Sequence, residues 1–227
     1  MSEKLIELIN VSYIVKDANK KRELLKKINY SFEKGVISII SGPSGSGKST
    51  LLYAIAGLLN GVSGDIIIEG DNIICMTEEE RNAYRLNNIS MVFQNLNLFS
   101  FMSVEDNILV PIRLKNKKVT PEIQQRVLKY LELMKLGDVR KKNIQSLSGG
   151  EQQRVAIIRA LIDAPKVVLC DEPTASLDEE NVKIFMDTLV EIKNTTNATF
   201  IIVTHDARVL QYAEQKIKIV DGHLGKR

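Results

Sequence analysis

Apolar and polar residues alternate along two stretches near the start of the chain, Lys4 to Val15 and Leu24 to Glu33, where Leu24, Ile28, Tyr30 and Phe32 share one parity. A period of two predicts antiparallel strands, here joined by a polar, lysine-rich turn. Val36 to Ser41 breaks the alternation with a short, nearly continuous apolar strand. Helical periodicity follows over Leu51 to Leu59 and ends near Gly57 to Gly61. Ser63-Gly64-Asp65 then turns the chain into a strand, Ile66 to Glu69. Glu78 to Leu86 reads as a charged surface helix, and Ile89 to Gln94 as a strand ending on a polar residue.

From Ser103 to Leu136 the pattern is helical, with no strand. Ser103 is placed to cap a helix opening Val104-Glu105-Asp106, Pro111 should interrupt it, and Thr120-Pro121-Glu122 opens another. The helical character continues past Gly150. Strand and helix alternate again from Lys166: strand Val167 to Asp171, helix Glu179 to Thr195, strand Ala198 to Thr204, helix Ala207 to Ala213, strand Lys216 to Val220. Asp221-Gly222 turns the chain into a short tail. This order favours right-handed crossovers and a parallel sheet. The expected fold class is α/β, one domain over 1–227. Its parallel-sheet core would comprise 1–95 and 165–227, with an N-terminal antiparallel β subdomain, and about 96–164 would form an inserted α-helical subdomain.

Composition narrows the function classes. Lys and Arg number 31 against 28 Asp and Glu, a net charge of +3, too small to argue for nucleic acid as a partner. The clusters Lys20 to Lys27, Lys115 to Lys118 and Arg140 to Lys142 read as solvated faces. There are two cysteines, Cys75 and Cys170, the second inside an apolar strand, so a structural disulfide is not expected. The opening Met-Ser-Glu-Lys has no apolar signal region, and no run approaches the roughly 18 apolar residues that would cross a bilayer. Any membrane role must come through a partner.

Chemistry enters at Gly42-Pro43-Ser44-Gly45-Ser46-Gly47-Lys48-Ser49-Thr50, which fits G-x-x-x-x-G-K-[ST] between a strand and a helix. The glycines Gly42, Gly45 and Gly47 allow backbone N–H groups to turn inward around phosphate oxygens, and the following helix adds its positive end. Lys48 supplies a cation for the β- and γ-phosphates, and the Ser49 hydroxyl is placed to ligate Mg²⁺. A second site follows at Val167-Val168-Leu169-Cys170-Asp171-Glu172, where a buried strand delivers two acids at its carboxyl end. Asp171 suits Mg²⁺ or its water shell beside Ser49. Glu172, directly after it, suits polarising an attacking water, which favours hydrolysis over transfer to an acceptor.

Leu147-Ser148-Gly149-Gly150-Glu151-Gln152-Gln153-Arg154 resembles the signature of ATP-binding cassette ATPases. With the phosphate loop and the Asp-Glu site it makes a three-part match that covers roughly Leu5 to Leu224. The resemblance implies a P-loop NTPase core, ATP and Mg²⁺ as cofactors, and two copies paired head to tail. Each ATP would lie between the phosphate loop of one copy and Ser148, Gly149 and Gly150 of the other. By the same resemblance Gln94 contacts Mg²⁺ and the attacking water, and Ser176-Leu177-Asp178 crosses the dimer interface, with Asp178 at the nucleotide. His205 is the switch histidine at the γ-phosphate. The aromatic ring that the family stacks on adenine is expected at Val15; Tyr13, on the same strand face, is the ring available. Ala175 replaces a frequent glycine and Ile158 a frequent alanine. Val92-Phe93-Gln94, Glu105-Asp106-Asn107-Ile108 and Pro111 look like a bacterial branch active in lipoprotein release, macrolide or peptide-antibiotic efflux and resistance, and septal cell-wall remodelling. In that branch a separate transmembrane permease is the partner, and the ATPase is cytoplasmic, peripheral on the inner face of the cell membrane. A soluble cassette ATPase of a cytosolic assembly system, such as iron-sulfur cluster building, is the competing reading.

Overall fold

A computed structural model describes residues 3–17 and 20–225. The lysine-rich turn expected between the first two strands centres on residues 18 and 19 and lies outside the described residues, as do the chain's first two residues. The two alternating stretches form β1 (Lys4–Asp17) and β2 (Lys20–Glu33), antiparallel. β1 also pairs with β4 (Ser63–Ile68), which pairs with the short β5 (Asp71–Asn72), so this four-stranded sheet runs β2-β1-β4-β5.

The second sheet has six strands, built on β3 (Ile37–Ser41), β6 (Ile89–Val92), β7 (Val167–Asp171), β8 (Thr199–Val203), β9 (Gln215–Val220) and β10 (His223–Gly225) in the order β10-β9-β3-β8-β7-β6. All its pairings are parallel except β9 with β10. Its central strands are apolar on both faces because both faces are covered. Alternate residues go to different cores: Ile37, Ile39, Val168, Cys170, Phe200 and Ile202 to one, Ile40, Val167, Leu169, Ile201 and Val203 to the other. The first core is closed by α3 (Val104–Leu114), α4 (Pro121–Leu133), α5 (Gly149–Leu161) and α6 (Glu179–Thr196). The second lies between this sheet, α1 (Lys48–Ile55) and the antiparallel sheet. α2 (Glu78–Asn88) buries no residue and is held by a capping box between Thr77 and Glu80.

Several elements differ from expectation. Helix α3 runs through Pro111 rather than stopping there. Proline removes one backbone donor, but Ile108, Leu109 and Ile112 are buried on both sides of it, and that burial outweighs the lost bond. α1 ends at Ile55, before Leu59, because Leu58 N donates to Tyr53 O and Gly57 N to Ala54 O, the paired bonds of a Schellman ending. Residues 207–213 form only a 3₁₀ turn at Leu210–Tyr212. There the Asp206 carboxylate accepts from Arg208 N at 3.0 Å and diverts the backbone from a helix. β6 ends at Val92, which leaves Gln94 in the following loop. The tail is not loose: Asp221 (φ 47°) and Gly222 (φ 75°) make a two-residue hairpin turn with both residues left-handed, and β10 folds back on β9. Nor are the basic clusters all solvated, since the Lys115 side chain is 10% exposed and pairs with Asp163. Both cysteines are free thiols, and burial pushes that of Cys170 up. Among the described residues no helix is long and apolar enough to cross a membrane.

Candidate active site

Parallel pairing brings the ends of β3, β6, β7 and β8 to one edge of the sheet, the edge where such sheets place ligands. In register, Asp171 stands opposite Val203 and Val92 opposite Cys170, so the residues that follow these strands converge. A cavity of about 610 Å³ opens there. Gly42, Pro43, Ser44, Gly45, Gly47, Lys48, Ser49, Thr50, Gln94, Glu172 and His205 line it, so the phosphate loop, the second acid, the glutamine and the histidine are brought together.

The loop is held from below by the C-terminal hairpin. Gly222 N donates to Ser46 O at 3.0 Å, and a Cβ on Gly42 would come within 2.1 Å of Ile219 O. Lys48 is 7% exposed, and its Nζ donates to Gly42 O at 2.9 Å and Pro43 O at 3.0 Å. The loop is thereby wrapped around a cation. Ser46 Oγ is buried without a protein partner, a hydroxyl left over in the loop. These features fit the oxygens of a polyphosphate.

Asp171 lies beneath the cavity at the end of β7 and is 1% exposed. Its Oδ1 accepts from Ser49 Oγ at 2.8 Å and its Oδ2 from Tyr53 Oη at 2.7 Å. Burial, then the hydrogen bond to Asp171 and its charge, push the Tyr53 phenol up to about 12. One carboxylate and one hydroxyl suit Mg²⁺, which takes hard oxygen ligands, keeps several waters and draws the rest from phosphates.

Glu172 sits in the left-handed region at φ 48°, a strained backbone for a residue other than glycine. Its N–H donates to Val203 O at 2.9 Å, which pins the turn to β8. Glu172 Oε2 accepts from Thr204 Oγ1 at 3.1 Å and from His205 N at 3.3 Å, and Oε1 lies 2.9 Å from His205 Nδ1. A carboxylate aimed by three groups of two residues, Thr204 and His205, is placed to take a proton from water inside the cavity.

The remaining candidates stand apart. Ser148 caps α5 through a capping box: its N–H and Oγ donate to Glu151 Oε2 at 2.8 and 2.7 Å. Those two bonds hold the Glu151 carboxyl below its ordinary range. Gly149 has open space about its Cα, and Asp178 caps α6 by accepting from Asn181 N at 2.8 Å. Ser148, Gly149, Gly150 and Asp178 do not line the cavity of their own chain. Tyr13 does not line it either; it packs against the second core. Arg22 and Leu24 of β2 form the wall beyond the loop instead, with an Arg22 guanidinium nitrogen 4.0 Å from where a Gly45 Cβ would stand. Neither residue type marks a nucleotide site in the sequence, and Tyr53 falls within the helical pattern over Leu51 to Leu59. Its spacing of four from Ser49 was the available signal.

The family model described as ABC transporter matches residues 25–175. The chain belongs to the ABC transporter family. Full-length relatives of this ABC transporter ATPase include a protein of Staphylococcus haemolyticus named for hemin import, HrtA, 36% identical over 96% of this chain and 98% of its own. The lipoprotein-releasing system ATP-binding protein LolD of Buchnera aphidicola is 35% identical over 99% and 98%. Among solved structures, the bacterial ABC transporter cassette MJ0796, a dimer, superposes with a TM-score of 0.90 at 32% identity, covering 98% of this chain and 97% of that one. A second structure of MJ0796 is a post-hydrolysis state bound to ADP and phosphate. The chain is accordingly an ATPase of this family.

Proposed function

We propose that this ATPase works as a head-to-tail dimer with Mg²⁺ on the cytoplasmic face of a membrane, driving a separate membrane-spanning subunit that extracts or exports an apolar or peptidic cargo of the lipoprotein or antibiotic kind. The observation that carries the dimer is the position of Ser148, Gly149 and Gly150. They open a helix N-terminus suited to an anion, yet they line no part of their own cavity. A second copy turned head to tail brings them to it.

In that arrangement Lys48 and the loop N–H groups hold the β- and γ-phosphates. Ser49 and Asp171, with Gln94 at the rim, hold Mg²⁺, which when bound supplies positive charge to the phosphate oxygens. Glu172 takes the proton of the attacking water, and His205 orients Glu172. The division of the chain into a core (1–95 and 165–227) and a helical part (about 96–164) supplies the two bodies that closure on ATP draws together.

A groove of about 390 Å³ supports the membrane partner. Leu58, Leu86, Met91, Phe93, Pro111 and Leu114 line it, between the core and the helical part, and Leu114 is 65% exposed. Arg85, Lys115, Arg159 and Asp163 also line it, and an apolar floor with charged groups beside it suits an amphipathic helix presented by another subunit. LolD, named for lipoprotein release, and HrtA, named for hemin import, leave the direction and the cargo to that subunit. The test is to isolate the tagged chain from its native membrane in mild detergent and identify what accompanies it by mass spectrometry. A partner with four spans and a large external domain, or with about ten spans, is the expected result; recovery of soluble proteins only would replace transport by cytosolic assembly.

A further inference from the structure

We propose that Tyr53 is a positioning residue for the metal-holding carboxylate: its hydroxyl fixes one oxygen of Asp171 so that the other, beside Ser49, faces the divalent ion that accompanies ATP. The proposal rests on the Mg²⁺ reading given above. Ser49 and Tyr53 are four residues apart on α1 and therefore share one face of it. That face meets the end of β7, where each hydroxyl takes a different oxygen of Asp171, at 2.8 Å from Ser49 and 2.7 Å from Tyr53. Carboxylate rotation about its last torsion is broad in the absence of partners. Two donors, one on each oxygen, remove that freedom.

The two oxygens are not equivalent. Oδ1 is held by Ser49, which lines the cavity; Oδ2 is held by Tyr53, which does not. A tyrosine hydroxyl has a single hydrogen, so Tyr53 orients Oδ2 and leaves Oδ1 to the cavity side. The ring itself is braced. Its centroid lies 6.5 Å from that of Phe93, tilted by 43°, and Phe93 immediately precedes Gln94 at the cavity rim. Tyr53 thus joins the helix after the phosphate loop, the acid of β7 and the loop after β6 that carries Gln94. Partners standing behind a metal ligand in this way set its orientation and affinity.

Tyr53→Phe keeps the ring and its contact with Phe93 and removes only the hydroxyl. ATP affinity of the full-length chain is measured by calorimetry in EDTA and in Mg²⁺, and Mn²⁺ bound in the presence of ATP is measured by electron paramagnetic resonance. The expected result is an unchanged EDTA affinity and a melting temperature lower by a few degrees, because the buried Asp171 Oδ2 loses its donor, with Mg²⁺-dependent tightening and Mn²⁺ affinity weaker by about tenfold. A variant that keeps the full Mg²⁺-dependent gain overturns the proposal. So does one that loses ATP affinity equally in EDTA, since Tyr53 would then be a structural prop. If the wild-type chain itself binds ATP with no response to the divalent ion, the metal reading fails first.

Discussion

His205 Nδ1 lies 2.9 Å from Glu172 Oε1, although the histidine side chain is 73% exposed and the glutamate 13%. The exposed partner positions the shielded one, so their loss should have unequal effects. Glu172→Gln keeps the shape and removes the base: ATP binding should persist, turnover should fall by at least about 100-fold, and the dimer should accumulate in light scattering. His205→Ala leaves the carboxylate with Thr204 and a backbone N–H, and should cost turnover about tenfold. Near-normal turnover by Glu172→Gln would remove it as the base.

Much of this site was legible because phosphate chemistry demands particular residues at contiguous positions. Gly42 to Thr50, Asp171-Glu172 and Ser148-Gly149-Gly150 each fill one strand end or helix start, where a local pattern is sufficient. Tyr53 and Arg22 were not legible in that way. Their proximity to the site depends on how α1 and β2 pack, and neither residue type is diagnostic alone. Pro111 differs for another reason: proline breaks a helix locally, but buried Ile108, Leu109 and Ile112 on both sides of it decide the outcome. Asn107 adds to this, fully buried and bonded to both the N–H and the carbonyl of Phe99. Asp221-Gly222 is legible as a turn, but its return strand has only three residues, too few to show a period of two.

The separation of Ser148 from its own cavity predicts complementation. Ser148→Arg places a bulky cation where the neighbouring ATP would lie, and Lys48→Ala empties the phosphate loop. Each variant alone should be nearly inactive, while a mixture forms dimers with one intact composite site and should recover roughly a quarter to a half of wild-type turnover on mixing statistics. Activity no higher than that of the separate variants would sink the head-to-tail pairing.

The C-terminal hairpin should matter to a phosphate loop far away in sequence. Gly222 has φ 75°, and a Cβ there would approach Leu24 O to 2.7 Å. Gly222→Ala should cost about 2 kcal/mol, seen as a melting temperature lower by about 4–8 °C, together with a raised KM for ATP because Gly222 N holds Ser46 O. Gly61→Ala is the control for backbone strain alone: Gly61 has φ 82° but nothing lies within 4 Å of a Cβ there, so it should cost about 1 kcal/mol and leave the KM for ATP unchanged. Equal losses from both would separate the hairpin from the loop.

The wall that meets the base can be assigned by substitution. Arg22 and Leu24 line the cavity, whereas Tyr13 packs against the core. A guanidinium laid over a purine contributes about 1 kcal/mol, so Arg22→Ala should weaken ATP binding about fivefold and leave inorganic triphosphate binding nearly unchanged. Tyr13→Leu should change neither by more than about twofold. The reverse result would return the base to Tyr13.

Acid should loosen the helical part of the molecule for a reason that can be assigned. Glu105 is held below its ordinary 4.5 by the hydrogen bond from Arg140, with Lys141 adding to it. Asp106 is held below 3.8 by Ser103 and Arg113. At Asp163 burial pushes the other way, but the bonds from Lys115 and Lys117 win and the net direction is again down. A carboxyl whose folded value lies below its unfolded one stabilises the protein fully above the unfolded value and loses that contribution as pH falls through the folded one. The melting temperature should therefore be flat from pH 7 to about 5.5 and fall steadily below about 4.5. Asp163→Asn leaves the nearly buried Lys115 without its carboxylate. It should lower stability at pH 7 by about 2–3 kcal/mol and flatten the acid limb, because one of the groups that titrates there is gone. A variant whose acid limb is as steep as that of the wild type would place the loss elsewhere.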